Sequence, residues 1–185
     1  ALTKMLSSYA NDPNVVVLGL PRGGLPVAHE IAAALDSPLD SFEVRKLGAP
    51  GQEELAMGAV ASGGALYLND RVIGSCGIGL NAIERTVARE RHELERRERL
   101  YHEGRPRPDL SGKTAILVDD GIATGGTSVV AGRALKARGA SRVVLAVPVA
   151  PPETDERLGG EFDEIVCLWE PEGFFGIGQF YVDFG

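Results

Sequence analysis

At 185 residues, with 44% hydrophobic and 24% charged content, the chain is long enough for one well-buried core and short for two, so a single domain over residues 1–185 is expected. The net charge of −7 and pI near 5.0 exclude a general nucleic-acid or membrane-surface role, which needs a basic face, while leaving room for a local basic pocket. Only two cysteines occur, Cys76 and Cys167, without metal-ligand spacing; with no signal-peptide pattern and no apolar run of membrane length, a cytoplasmic setting is expected.

Leu2, Met5, Leu6 and Tyr9 fall at helical spacing and predict an opening helix over 2–10, ended by Asn11-Asp12-Pro13. Val15 to Leu20 is a strong apolar strand that runs directly into Pro21-Arg22-Gly23-Gly24, after which the alanine-rich stretch Leu25 to Leu35 reads as a helix. In this strand–loop–helix unit two residues without Cβ let the backbone approach a ligand, and Arg22 offers a planar fork of donors suited to phosphate oxygens. Taken alone, such an arginine is also an ordinary surface residue of a turn.

Ser41 to Lys46 alternates Phe42 and Val44 with polar residues, predicting a strand that ends on Arg45-Lys46. Leu47 to Glu54, with two glycines and a proline, reads as a mobile loop. Met57 to Ala61 and Ala65 to Leu68, joined by Ser62-Gly63-Gly64, read as a β-hairpin, and Arg71 to Cys76 as a further short strand. The spacing Gly77-Ile78-Gly79-Leu80-Asn81-Ala82 matches a dinucleotide fingerprint only superficially, because the preceding strand is poor and the following helix too charged to pack on a sheet.

Asn81 with Glu84 instead forms a capping-box pattern opening a long helix from about Ala82 to His102. That helix is laden with Glu and Arg, including the favourable pairs Glu93–Arg97 and Glu95–Arg99, around a narrow stripe of Leu80, Ile83, Val87, Leu94 and Tyr101. It reads as a solvated outer helix, or as a lid or subunit contact that would allow a homodimer. His92 and His102 have no partners at metal spacing and read as surface residues, and Gly104 to Asp109 reads as a linker.

Ala115 to Val118 suits a strand buried on both faces of a parallel sheet, with Asp119 and Asp120 at its carboxyl end, the edge where open α/β sheets bind ligands. Beyond them Thr124, Gly125, Gly126 and Thr127 allow several backbone N–H groups to converge on one anion at a helix N-terminus. The carboxylates would repel a bare phosphate, so they suit hydroxyl hydrogens or a hydrated cation. Phosphate plus diol points to a sugar phosphate, and without Gly-Lys-Ser/Thr a P-loop is excluded. Val129 to Arg138 follows as a helix capped by Gly139, then a strand at Val143 to Val149, a short helix begun by Pro151 and Pro152, and a strand at Glu164 to Trp169. This alternation predicts an α/β fold with a doubly wound, mainly parallel sheet of about five strands. The tail aromatics Phe174, Phe175, Phe180, Tyr181 and Phe184 are expected mostly to close the core.

The segment Val118 to Thr127, VDDGIATGGT, resembles the phosphoribosyl-diphosphate (PRPP) signature of the type I phosphoribosyltransferases over its whole length. Pro21 to Gly24 resembles the diphosphate loop of the same family, most closely its purine-salvage branch. Arg45-Lys46-Leu47-Gly48-Ala49-Pro50 resembles the start of the flexible catalytic loop of adenine phosphoribosyltransferases, with Ala49 where a second lysine is usual. The resemblance implies a central parallel sheet flanked by helices, with the hairpin and the long charged helix inserted. It implies transfer of ribose 5-phosphate from PRPP to a nitrogen acceptor, such as a nucleobase, with Mg2+ as cofactor and diphosphate as product.

On the same ground Asp119 and Asp120 would hold the ribose hydroxyls, or Mg2+ through water, and the phosphate would sit on Ala123, Thr124, Gly125, Gly126 and Thr127. Arg22, Gly23 and Gly24 would grip the diphosphate, and Arg45 and Lys46 would assist catalysis. Trp169 and Phe174 are the candidates for a hood over the acceptor, with core packing as their other role. Ala123 stands where 6-oxopurine transferases carry an aspartate, which disfavours hypoxanthine or guanine. Two other readings use the same residues: a PRPP-sensing regulator without catalysis, favoured by the missing lysine at position 49, and a partner-binding domain in which the motif is coincidental.

Overall fold

The computed structural model describes residues 1–102 and 107–182, and the side chains of all of these except 54 and 100–102. In chain order the elements are α1 (Leu2–Met5), β1 (Val15–Gly19), α2 (Gly24–Leu35), β2 (Leu39–Ser41), β3 (Val44–Ala49), β4 (Gln52–Ala61), β5 (Ala65–Leu68), α3 (Asp70–Ser75), α4 (Leu80–His102), β6 (Thr114–Val118), α5 (Gly126–Ala137), β7 (Arg142–Val149), α6 (Thr154–Leu158) and β8 (Glu164–Trp169). The uninterrupted apolar runs of β1, β6 and β7 are suited to burial on both faces, and they form the middle of a five-stranded sheet ordered β2-β1-β6-β7-β8, parallel at every pairing.

Successive residues of these strands point to opposite faces. Val15, Val17, Ile116, Val118, Val144 and Ala146 pack with Leu2 and Leu6 near the amino terminus and with Ile31 and Leu35 of α2. Val16, Leu18, Ala115, Leu117, Val143 and Leu145 pack with Ala131, Ala134 and Leu135 of α5. Strand order turns back on itself at β1: the chain leaves β1 for β2 on one side and returns as β6 on the other. The β1/β6 register pairs Val15 with Thr114 and Gly19 with Val118, so the two strands end level. The crevice beyond their carboxyl ends is the topological switch point, the place where such sheets take ligands.

A second, antiparallel sheet ordered β3-β4-β5 covers α5. Val44, Ala61 and Ala65 join the core around α5, while Leu47, Ala49, Met57 and Val60 pack with Ile83, Val87 and Leu94 of α4. The long helix therefore lies outermost on the second sheet, with Glu93 bonded to both Arg96 and Arg97 on its solvent side.

Several local expectations are corrected. The strand predicted over Ser41 to Lys46 is divided between the two sheets: β2 ends at Ser41 and β3 begins at Val44. At the crossing Phe42 is fully buried and its N–H bonds the Gly19 carbonyl at 2.9 Å, while Glu43 N–H bonds Ser62 Oγ at 2.8 Å. Leu47 to Glu54 is not a loop but the turn of a hairpin, with Ala49 paired to Gln52 across Pro50-Gly51 and Gly51 at φ 75°. Proline pre-sets the first turn position and glycine takes the left-handed one, and burial of Leu47 and Ala49 under α4 holds the strand in place.

Arg71 to Cys76 falls in helix α3 rather than a strand, because Asn69 Oδ1 caps Val72 N–H at 3.2 Å and outweighs the β-branched pair Val72-Ile73. Helix α4 starts at Leu80, with the Gly79 carbonyl accepting from Ala82 at 2.9 Å, so Asn81 sits inside the first turn and is not its cap. The opening helix is one α turn followed by a 3-10 turn at Ser7–Tyr9. The Gly139 cap is seen: Ala140 N–H returns to Leu135 and Gly139 N–H to Lys136, with Gly139 at φ 86°. Residues 104–106 of the expected linker, Phe184, and the side chains of Tyr101 and His102 lie outside the described residues. Among the described residues no helix is long and apolar enough to cross a membrane.

Candidate functional site

Both sequence loops converge on the switch point. Leu20 N–H, just past β1, bonds the Val118 carbonyl at 2.9 Å, and Gly24 N–H closes the intervening turn on the Leu20 carbonyl at 3.0 Å; the Pro21–Arg22 peptide within that turn is cis. The glycines here serve a purpose the sequence did not show. A Cβ on Gly23 would lie 1.7 Å from Asp120 Oδ2, and one on Gly24 would lie 2.6 Å from the Val118 carbonyl oxygen and 2.9 Å from Asp119 Cα. The close approach they permit is to the acidic motif itself, so the first loop is seated directly on the second. Arg22 is exposed on that loop.

Asp119 and Asp120 stand half-buried at the end of β6, with Asp119 Oδ1 accepting from Asp120 N–H at 2.9 Å. Burial, aided by the charge of Asp120, pushes the Asp119 carboxyl up to about 7. Burial also raises Asp120. Both carboxyls, raised by burial, gain from hydroxyl donors or a cation, either of which favours the ionised form. Beyond them the chain is exposed at Ala123, Thr124 and Gly126, and Gly125, at φ 73°, precedes helix α5. The first N–H returned into this helix is that of Val129, to the Gly125 carbonyl at 2.9 Å, so the N–H groups of Gly126, Thr127 and Ser128 open the helix ahead of it. An exposed loop at the start of a helix, beside two carboxylates, is chemically suited to a phosphate joined to a diol.

Two residues that sequence reasoning missed hold this loop by its carbonyls. Tyr181 Oη donates to the Asp120 carbonyl at 2.6 Å, and Arg157 Nη2 donates to the Thr124 carbonyl at 2.8 Å. They lie 61 and 33 residues from their partners, and no local pattern signals either contact. Beside the loop opens a cleft of ≈ 600 Å³ whose walls include Ala123, Thr124, Arg157, Glu172, Phe174 and Phe175.

The expectation that the tail aromatics close the core is overturned. Phe175 is 93% and Trp169 55% exposed, while Phe180 stacks on Phe174 at 5.5 Å and meets Trp169 edge-on at 5.0 Å, forming a surface cluster. Both faces of β7 are already packed with aliphatic side chains, Val143, Leu145 and Val147 on one and Val144 and Ala146 on the other, and the rings lie outside that packing. Of the two hood candidates Phe174 lines the cleft and Trp169 is not in its wall.

Arg45 and Lys46 lie on β3 of the second sheet and not on the loops of the switch point. Arg45 bonds Glu90 of α4 at 2.6 Å, and Lys46 is exposed. Ala49, where the resembled loop carries a lysine, is 3% exposed against α4 and could not place an ammonium there without burying it. No group of three or more potential metal-ligating side chains occurs among the described residues. Asp119 and Asp120 fit a Mg2+ that keeps most of its water and shares substrate oxygens, which is how that ion is commonly held.

The family model for the phosphoribosyl transferase domain matches residues 1–183. A Mycobacterium tuberculosis protein with the provisional name phosphoribosyl transferase is 48% identical over 170 residues, which cover 92% of this chain and 38% of that protein. The chain thus spans less than two fifths of the length of such curated relatives. Among solved structures the TT1426 protein of Thermus thermophilus is 42% identical at a TM-score of 0.86, covering 100% of this chain and 86% of that one. An adenine phosphoribosyltransferase from Rhodothermus marinus is 13% identical at a TM-score of 0.53, covering 92% of this chain and 77% of that one, and so shares the fold. Motif, switch-point geometry and these matches agree that the chain belongs to the phosphoribosyl transferase domain family.

Proposed function

We propose that the protein transfers the ribose 5-phosphate group of PRPP to a nitrogen of a small planar acceptor, a nucleobase, with release of diphosphate. The observation that carries this reading is the seating of the Pro21–Gly24 loop on Asp119 and Asp120 at the switch point, an arrangement suited to binding two anionic groups with carboxylates between them. The 5-phosphate rests on the loop Ala123 to Thr127 at the start of α5. Asp119 and Asp120 take the ribose hydroxyl hydrogens, and Arg22 with the exposed Gly23 backbone takes the diphosphate.

The bond from the anomeric carbon to the diphosphate oxygen breaks with its electron pair going to diphosphate, and the acceptor nitrogen's lone pair forms the new bond while its proton passes to solvent. Positive charge developing on the sugar ring is offset by the two carboxylates, whose contribution is largest in the transition state. Mg2+, held through Asp119 and Asp120, would supply charge neutralisation on the departing diphosphate. Lys46, exposed on β3, is the further cation for that departure, with Arg45 beside it held by Glu90. Phe174 offers the acceptor a stacking face in the cleft.

The test is diphosphate release from PRPP and Mg2+ with a panel of nucleobases, run beside direct measurement of PRPP binding. Base-dependent release that falls roughly 100-fold in Asp119→Asn and Asp120→Asn, with PRPP binding changed far less, supports transfer. Burial of Ala49 and the engagement of Arg45 by Glu90 favour a second reading, a PRPP sensor without catalysis. Tight PRPP binding with no release for any base selects the sensor, and absence of PRPP binding defeats both.

A further inference from the structure

The phosphate loop has a charge imbalance that its own residues do not correct. Residues 119–128 include two carboxylates and no basic side chain. The ligand proposed above, on which this inference rests, brings a 5-phosphate dianion. The start of α5 lends about half a positive charge, and Asp119 and Asp120 oppose it.

A guanidinium reaches the loop from outside. Arg157 Nη2 donates to the Thr124 carbonyl at 2.8 Å, and Arg157, Thr124 and Ala123 line the same cleft. The bond does not stand alone. Leu158, the next residue of α6, is buried against Gly125, where a Cβ would lie 2.9 Å from either Leu158 methyl carbon. Helix α6 is thus seated on the loop by an apolar contact and presents its cation to the residue before it. In a planar trans peptide the carbonyl and the following N–H point in opposite directions, so pinning the Thr124 carbonyl aims the Gly125 N–H to the other side of the chain.

We infer that Arg157 is a phosphate-positioning residue of this protein. Acting through the Thr124 carbonyl, it orients the Gly125 peptide toward the ligand and adds to the loop the positive charge its own sequence lacks. It contributes to recognition of the 5-phosphate and not of the diphosphate, which meets the Pro21–Gly24 loop.

The experiment titrates ribose 5-phosphate, PRPP and free diphosphate, each with Mg2+, into wild type, Arg157→Gln and Arg157→Lys by calorimetry at low and high salt, with melting temperatures for all three proteins. Arg157→Gln is expected to weaken ribose 5-phosphate and PRPP by roughly three- to tenfold at low salt, the range for one partly screened charge. Diphosphate affinity should stay within about twofold, the gap should narrow at high salt, and lysine should recover part of the loss. Unchanged ribose 5-phosphate affinity in Arg157→Gln overturns the inference. So does an equal loss for diphosphate, or a loss with lowered melting temperature that lysine does not relieve, which would mark a structural brace. Wild-type protein that binds none of the three ligands overturns the transferase reading and this inference together, whereas wild-type binding with an unaffected variant overturns the inference alone.

Discussion

The two sheets of this protein solve different problems. The parallel sheet is apolar on both faces, and its chemistry is confined to the carboxyl ends of β1 and β6. The antiparallel sheet carries charge inside its packing: Arg45 is bonded to Glu90 of α4, and the ion pair Arg107–Glu98 lies near Glu43, which is only 3% exposed. Glu43 Oε1 has no hydrogen-bond partner among the described residues. The first sheet aims a few polar groups at a crevice from an apolar scaffold, and its electrostatic cost is concentrated in the half-buried Asp119 and Asp120. The second is joined to the first by apolar packing around α5 and by the backbone bonds of Phe42 and Glu43, and it carries a buried acid, Glu43, at that junction, which makes its stability dependent on pH.

The sharpest way to break the parallel region is at Gly24. The atoms that an added Cβ would meet there are backbone of Val118 and Asp119, which cannot rotate away, so Gly24→Ala should destabilise the fold by about 3 kcal/mol or more in urea denaturation. A change under about 1 kcal/mol would show that the two loops are not seated as described.

The buried acid of the second region should dominate the pH dependence of stability. Burial pushes Glu43 from 4.5 up to about 7, against the opposing pull of Arg97, Arg45 and Arg107. A carboxyl raised in the folded state binds its proton more tightly there than when unfolded. Its contribution is therefore fully present below about 4.5 and is lost as pH rises toward 7. Asp119, raised in the same direction, adds to the slope from the other region. Glu43→Gln should flatten the fall between these pH values and gain on the order of 2 kcal/mol relative to wild type at pH 8. Parallel stability–pH curves for the two proteins would assign the slope elsewhere.

In the parallel region the raised acid should be read out by ligand instead. Hydroxyl donors or a cation favour ionised Asp119, so PRPP with Mg2+ should bind with release of a proton when Asp119 begins protonated. Its affinity should rise by up to about tenfold per pH unit below pH 7 and level off above it. Calorimetry in buffers of different ionisation enthalpy measures the released proton, and Asp119→Asn should abolish it. The smallest effect is expected at Gly74 in α3, where a Cβ would meet nothing within 4 Å. Gly74→Ala should stabilise by about 0.5 to 1 kcal/mol from backbone entropy alone.

Much of the parallel region was legible in the chain because it rests on local signals. Apolar runs such as Val15 to Leu20 and Ala115 to Val118 announce doubly buried strands, and a strand running into Gly-rich turn and helix is a unit of consecutive residues. So is the capping glycine at 139. The VDDGIATGGT motif placed the acidic pair and the Gly/Thr loop in one stretch, and the fold set them at the crevice beyond β1 and β6. What only the tertiary structure decided depends on contacts between distant residues. The chain's passage from one sheet to the other at Phe42-Glu43 rests on Gly19 and Ser62, and the pattern of alternation looks the same whichever sheet a strand joins. Gly23 and Gly24 are glycines because β6 ends against them. Tyr181 and Arg157 reach the motif from positions several elements further along the chain, and the tail rings stay outside the aliphatic packing of the sheet. Propensity and periodicity act over a few neighbouring residues, whereas packing and carbonyl satisfaction are settled only when the whole chain has closed.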